Sequence, residues 1–108
     1  MRIKQSVCYA LFRPPDMALD RLFGTIADTG LAAIELWGRQ DDFEQVVQLA
    51  KQHGLAVASM IGHASLSDGL NKRSNHDRIE AELRESIEVA AHYGIPGLMY
   101  SANTHRRP

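Results

Sequence analysis

The side chains best placed to do chemistry sit where apolar runs stop. Glu35 and Trp37 close the run Ala33-Ile34-Glu35-Leu36-Trp37, His63 follows Met60-Ile61-Gly62, and Asn103 follows Leu98-Met99-Tyr100-Ser101-Ala102. An ionised carboxylate among Ala33, Ile34 and Leu36 is costly unless it is paired or bound, so Glu35 needs a partner. Two kinds fit: a structural partner, as a salt bridge or hydrogen bond at the strand end with Arg39 or Arg13 as candidates, or a polar contact to a substrate or to a group holding a metal. Trp37, the only tryptophan, is either a wall of a pocket or a packing residue under a loop. The imidazole of His63 can bind a hydroxyl, take a proton or ligate a metal, and a satisfied strand-end histidine is the bland alternative. No second histidine or carboxylate stands at a recognisable ligand spacing from it, so no metal ligand is assigned and the catalytic residues stay open.

Other mechanisms find no support. The chain has no glycine-rich phosphate loop, no Gly-x-Ser-x-Gly elbow and no paired cysteines. Cys8 reads as a small hydrophobe on a buried strand, and Met60 and Met99 as core fillers. His53 and His92 fall in the last turns of helices, where the dipole or solvent explains them, and His76 falls near a helix start.

The elements that must hold these residues repeat. Three times a helical pattern stops at glycine and a strand pattern begins, at Gly30-Leu31-Ala32-Ala33-Ile34-Glu35-Leu36, Gly54-Leu55-Ala56-Val57-Ala58-Ser59-Met60 and Gly94-Ile95-Pro96-Gly97-Leu98-Met99-Tyr100. Glycine suits the residue just past a helix because the left-handed conformation carries no side-chain clash there. Each glycine follows an apolar stripe at helical spacing: Leu19, Leu22, Phe23 and Ile26; then Phe43, Val46, Val47 and Ala50; then Ile79, Leu83, Ile87, Ala90 and Ala91. These are expected to be core faces, with Asp16, Asp41 or Asp42, and Ser74 or Asn75 as N-caps. With Ile3 to Tyr9 as a first strand, the order is β-α-β-α-β-α-β. Strands with little alternation indicate a parallel sheet, either closing as a barrel or open with helices on both faces. In both, ligands gather at the carboxyl ends of the strands, where Glu35, Trp37, His63 and Asn103 fall.

Composition sets the bounds. A chain of 108 residues has room for one domain or part of one. No apolar run approaches the roughly 20 residues that span a bilayer, and the start shows no signal-peptide pattern, so no membrane partner is expected. A single cysteine fits a reducing compartment, and the cytoplasm is the expected location. Twelve basic against thirteen acidic residues leave a net charge of -1, which draws the chain to neither nucleic acid nor anionic lipid.

The chain resembles the xylose-isomerase-like barrel superfamily, specifically its hydroxypyruvate-isomerase-like sugar isomerases and epimerases. The likeness rests on Lys4-Gln5-Ser6-Val7, Glu35-Leu36-Trp37 and Gly62-His63, most strongly on Leu70-Asn71-Lys72-Arg73 with Asn75-His76-Asp77-Arg78-Ile79, and then on Gly94-Ile95-Pro96 and Ser101-Ala102-Asn103. It implies an α/β fold in which residues 1–108 form the N-terminal half of a (β/α)8 TIM barrel, strands 1 to 4 and helices 1 to 3, against about 250 residues for a whole one. It also implies a divalent metal, Mg, Mn or Zn, in the full-length family, held by residues of later strands expected beyond Pro108, with two glutamates moving a proton between adjacent carbons. Glu35, Trp37, His63 and Asn103 are carried over as residues binding a small hydroxycarbonyl or sugar substrate. The tail departs from the family's Ser-Gly-Asn-Arg, since Ala102 replaces the glycine and Thr104 follows Asn103. The chain alone is therefore expected to be an inactive fragment, in which exposed edges favour a homodimer. The alternatives are a non-catalytic truncated module and a phosphodiesterase barrel like the apurinic endonucleases.

Overall fold

The computed structural model describes residues 3–64 and 67–102. Four parallel strands, β1 (Ser6–Cys8), β2 (Ala33–Leu36), β3 (Ala56–Ile61) and β4 (Gly97–Met99), lie side by side in their order along the chain. Helices α2 (Leu19–Asp28), α3 (Phe43–Gln52) and α4 (His76–Tyr93) form the crossovers. No helix among the described residues is long and apolar enough to cross a membrane.

The glycine turns behave as expected. Gly30, Gly54 and Gly94 have φ of 88°, 72° and 69°, where a side chain would clash. After α3 and α4 the next residue folds back: Leu55 N–H donates to the Ala50 carbonyl and Ile95 N–H to that of Ala90, each at 2.8 Å, and both side chains are buried. This bond from past the glycine to the last turn closes the helix and launches the strand.

The first strand is shorter than the expected Ile3 to Tyr9. Tyr9–Phe12 turns into a four-residue helix, α1, which sets the Tyr9 ring edge-on against Phe23 with centroids 5.1 Å apart. Arg13 returns to extended backbone, as the residue before a proline must. A turn closed by Met17 N–H on the Pro14 carbonyl then leaves Ala18, not Asp16, at the N-cap of α2. Asp42 and Asn75 do occupy N-caps, but neither makes a side-chain capping bond.

One apolar core joins all three long helices to one face of the sheet. Leu22, Phe23 and Ile26 of α2, Val46 and Ala50 of α3 and Ala90 of α4 pack with Ile34, Leu36 and Met60, with Val7, Val57 and Leu98 at its margin. The stripe expected on α2 is buried throughout. That on α4 is not: Ile79 and Ala90 are buried, but Ile87 is 56% exposed and Ala91 is exposed, while Ser86 is buried. The reason is a close approach at Gly62, whose carbonyl accepts a hydrogen bond from Ser86 Oγ at 2.8 Å. A Cβ on Gly62 would stand 2.6 Å from Leu83 Cδ2, so α4 rests directly on the end of β3 and turns its small polar residue inward.

Since side chains alternate across a strand, the residues between these core positions face away from the helices. The pairing sets Cys8 beside Glu35, Glu35 beside Ser59 and Ser59 beside Gly97. Glu35 meets Ser59 only because the β2–β3 register shifts, Ile34 pairing with Val57 and Glu35 with Ser59, so that Ala58 is the extra residue of a bulge. The polar row Cys8, Glu35, Ser59 thus lies on the helix-free face.

Candidate functional site

Glu35 is half-buried and accepts a hydrogen bond from Ser59 Oγ at 3.2 Å. The ion pair that sequence allowed with Arg39 or Arg13 is not made. Arg39 reaches Glu85 at 3.4 Å, and Arg13 Nε donates to the Met17 carbonyl. Among the described residues the hydroxyl of Ser59 is the one hydrogen-bond partner of this carboxylate. Cys8 registers its charge from the next strand: burial pushes the thiol up first, and the Glu35 carboxylate pushes it further.

His63 stands two residues beyond the end of β3 and is only 3% exposed. The Ser101 backbone N–H, just past β4, donates to its Nε2 at 2.9 Å. An amide can only donate, so Nε2 offers its lone pair and the proton of the neutral ring is on Nδ1. Nδ1 is buried without a hydrogen-bond partner among the described residues.

His63 and Trp37 come together at the wall of one cavity of about 350 Å³, over the carboxyl ends of β2 and β3. The loop after β2 contributes Arg39 and Gln40, and α4 contributes Glu82, Glu85 and Ser86. Trp37 is 52% exposed, which suits a wall better than a packing plug. Glu35 is not among the residues of the cavity wall. Asn103 lies outside the described residues.

Sequence reasoning missed Arg39, Glu82, Glu85 and Ser86 as site residues. The α4 groups lie off the apolar stripe that the sequence marks, and the seating of α4 on Gly62 brings them to the strand ends. One signal was present: a serine within an apolar stripe, which asks for a carbonyl to bond.

The motif of Leu70-Asn71-Lys72-Arg73 with Asn75-His76-Asp77-Arg78-Ile79 has a structural task, shared with Asp68 and Gly69. The amides of Leu70 and Asn71 donate to the carbonyls of Ser101 and Ala102, tying this loop across the end of β4. Gly69 lies so close to those carbonyls that any Cβ would collide with backbone. Buried Asn75 donates to Asp68 Oδ1 and to the Gly69 carbonyl, His76 Nε2 donates to the Leu70 carbonyl at 2.7 Å, and Lys72 and Arg78 pair with Asp68. The loop that carries His63 is thereby fixed to the strand whose amide orients that imidazole.

A divalent metal does not fit the described residues. No three His, Cys, Asp or Glu side chains among them converge to hold one. His63 is already committed at Nε2, and Glu35 has no second carboxylate beside it in the row. Set against protein-family models, curated proteins and solved structures, the chain matches none.

Proposed function

We propose that the chain is the N-terminal half of a (β/α)8 barrel of the xylose-isomerase-like kind, and that its strand ends form part of the binding site for a small hydroxycarbonyl or sugar substrate of an isomerase or epimerase. The observation that supports this most is the helix-free face, where Cys8, Glu35 and Ser59 make a polar row in register across three strands. A doubly wound sheet reverses its strand order and covers both faces with helices. Here the order of the described strands runs straight through, and α2, α3 and α4 share one core, which a half-barrel would also have.

Moving a proton between adjacent carbons needs a base at the carbon and a donor or cation at the oxygen that gains charge. Glu35, held by a hydroxyl and by no cation among the described residues, can accept a hydrogen bond from a substrate hydroxyl. Trp37 offers an apolar wall. Where the family has a metal, its ligands and the proton-moving carboxylates would in this reading come from the complementary half. The endonuclease alternative needs several metal-binding histidines, and the engagement of His63 Nε2 disfavours it.

Glu35→Gln in a complete barrel is expected to lower kcat/KM for hydroxycarbonyl isomerisation by about tenfold to a hundredfold, the worth of a hydrogen bond to a charged group, while leaving the unfolding midpoint close to that of the parent. Loss of folding instead would make Glu35 structural. Titration calorimetry of the present chain with manganese or magnesium is expected to show no tight stoichiometric site; such a site would overturn the assignment of the metal ligands to the other half.

A further inference from the structure

We propose that His63 is a proton-sensitive latch: its neutral ring holds the carboxyl end of β4 and the loop 68–72 in place, and a proton taken up by the ring releases both. The inference goes beyond the proposed function and holds whatever the cavity binds.

The ring stands where main chain ordinarily would. Gly62 N–H donates to the Met99 carbonyl at 2.7 Å, so in a continuing parallel ladder the next bond would run from the Ser101 N–H to the Gly62 carbonyl. That carbonyl instead accepts from Ser86 Oγ, and the Ser101 N–H donates to His63 Nε2 at 2.9 Å. A side-chain acceptor that can gain a proton thus replaces a backbone acceptor that cannot. The neutral ring fills this place only with its lone pair at Nε2 and its hydrogen on Nδ1.

A second proton has no place in this arrangement. On Nε2 it would face the Ser101 N–H, while Nδ1, shielded from solvent, has no acceptor among the described residues. An imidazolium here would be buried with neither N–H satisfied. The carboxylates of α4 are engaged elsewhere: Glu82 bonds Arg78 at 3.1 Å, and Glu85 pairs with Arg39 of the loop after β2 at 3.4 Å. In the loop before α4, hydrogen bonds from Lys72 and then Asn75 hold the Asp68 carboxyl below the usual aspartate range, so it stays charged where imidazoles titrate. His76 bonds the Leu70 carbonyl through an N–H that its imidazolium would keep. Tyr100, just before Ser101, is largely exposed. To take a proton, the ring of His63 must therefore leave Ser101. The loop follows, because the Ser101 carbonyl accepts from Leu70 N–H at 3.2 Å and the Ala102 carbonyl from Asn71 N–H at 3.1 Å. The cavity loses part of its wall with them.

Residue-resolved hydrogen exchange of the full chain, corrected for intrinsic rates, tests the latch. A closed ring binds no proton and an opened one takes it near the ordinary imidazole value of about 6.5, so opening is constant above about pH 7 and rises about tenfold per pH unit below about pH 6. The amides of Ser101, Leu70 and Asn71 are expected to lose protection with that slope, while Ala32, which donates to the Gln5 carbonyl between β1 and β2, does not. His63→Gln sets an amide oxygen near the place of Nε2 and is expected to keep the three amides within about tenfold of the parent at about pH 7.5 and to abolish the slope. His76→Gln is expected to retain it. Protection that tracks Ala32 at every pH, a slope that survives in His63→Gln, or one that vanishes in His76→Gln would each overturn the latch. Nitrogen NMR of the parent's ring needs no variant: hydrogen on Nδ1 at about pH 7.5 is the expected result, and hydrogen on Nε2 would overturn the proposal.

Discussion

Cys8 and Glu35 show how one residue's chemistry can report a neighbour's position. The thiol is pushed above its ordinary range by burial first and by the Glu35 carboxylate next, so little of it is thiolate at neutral pH. Cys8 is expected to react with iodoacetamide more slowly than free cysteine. Glu35→Gln removes the negative charge and should speed the reaction, whereas Glu44→Gln, in the exposed first turn of α3, should not. Equal rates in the parent and Glu35→Gln would mean that the two side chains do not share the helix-free face. Asp68 carries the opposite sign. Hydrogen bonds from Lys72 and then Asn75 hold its carboxyl below the usual aspartate range. A depressed value contributes stability that is fully present above the unfolded pKa of about 4 and is lost as pH falls through the folded value. The stability gap between the parent and Asp68→Asn, measured by urea unfolding, should therefore shrink as the pH falls below about 4. A gap independent of pH would show that the loop is held by its backbone bonds to β4 alone.

Among the elements, α4 best separates hydrophobicity from burial. Its apolar residues do recur at helical spacing, yet the side it buries follows Ile79, Ser86 and Ala90, rotated from the expected line by the contact at Gly62. Ile79→Ala should cost about 2–5 kcal/mol, as for other fully buried side chains, while Ile87→Ala should stay within about 0.5 kcal/mol. Denaturant melts of the two variants check this, and similar losses would restore the line through Ile87. Exposed Ile87 joins Leu83 and Leu70 in an apolar groove on the outer side of the helix. Nothing in the spacing of the sequence distinguished that groove from core.

For the molecule as a whole, the consequence of straight strand order is a sheet whose edges, β1 and β4, pair with no further strand among the described residues, and a face that no described helix covers. On that face Ile61 and Met99 are half-buried, and Tyr100 beyond it is 67% exposed. Open edges and apolar surface favour association. Sedimentation equilibrium at micromolar concentration is expected to give a mass above that of one chain, and a cooperatively unfolding monomer would count against the half-barrel reading.

Much of the architecture is local in origin and could be read directly from residue order. A glycine after an apolar stripe needs no distant partner to adopt positive φ, and Leu55 and Ile95 fold back on the turn they follow, so the three helix-to-strand turns and the four strands could be anticipated. Glu35, Trp37 and His63 were legible as strand-end residues for the same reason: a polar or aromatic group that interrupts or ends a short apolar run is visible in one dimension. What could not be read is set by register and close approach between distant segments. The bulge at Ala58 decides that Glu35 meets Ser59, the bare carbonyl of Gly62 decides that Ser86 rather than Ile87 turns inward, and the amide of Ser101 decides which nitrogen of His63 holds the proton. Each depends on hydrogen-bonding groups brought together from 24 or 38 residues apart, and helical or strand periodicity carries no information at that range.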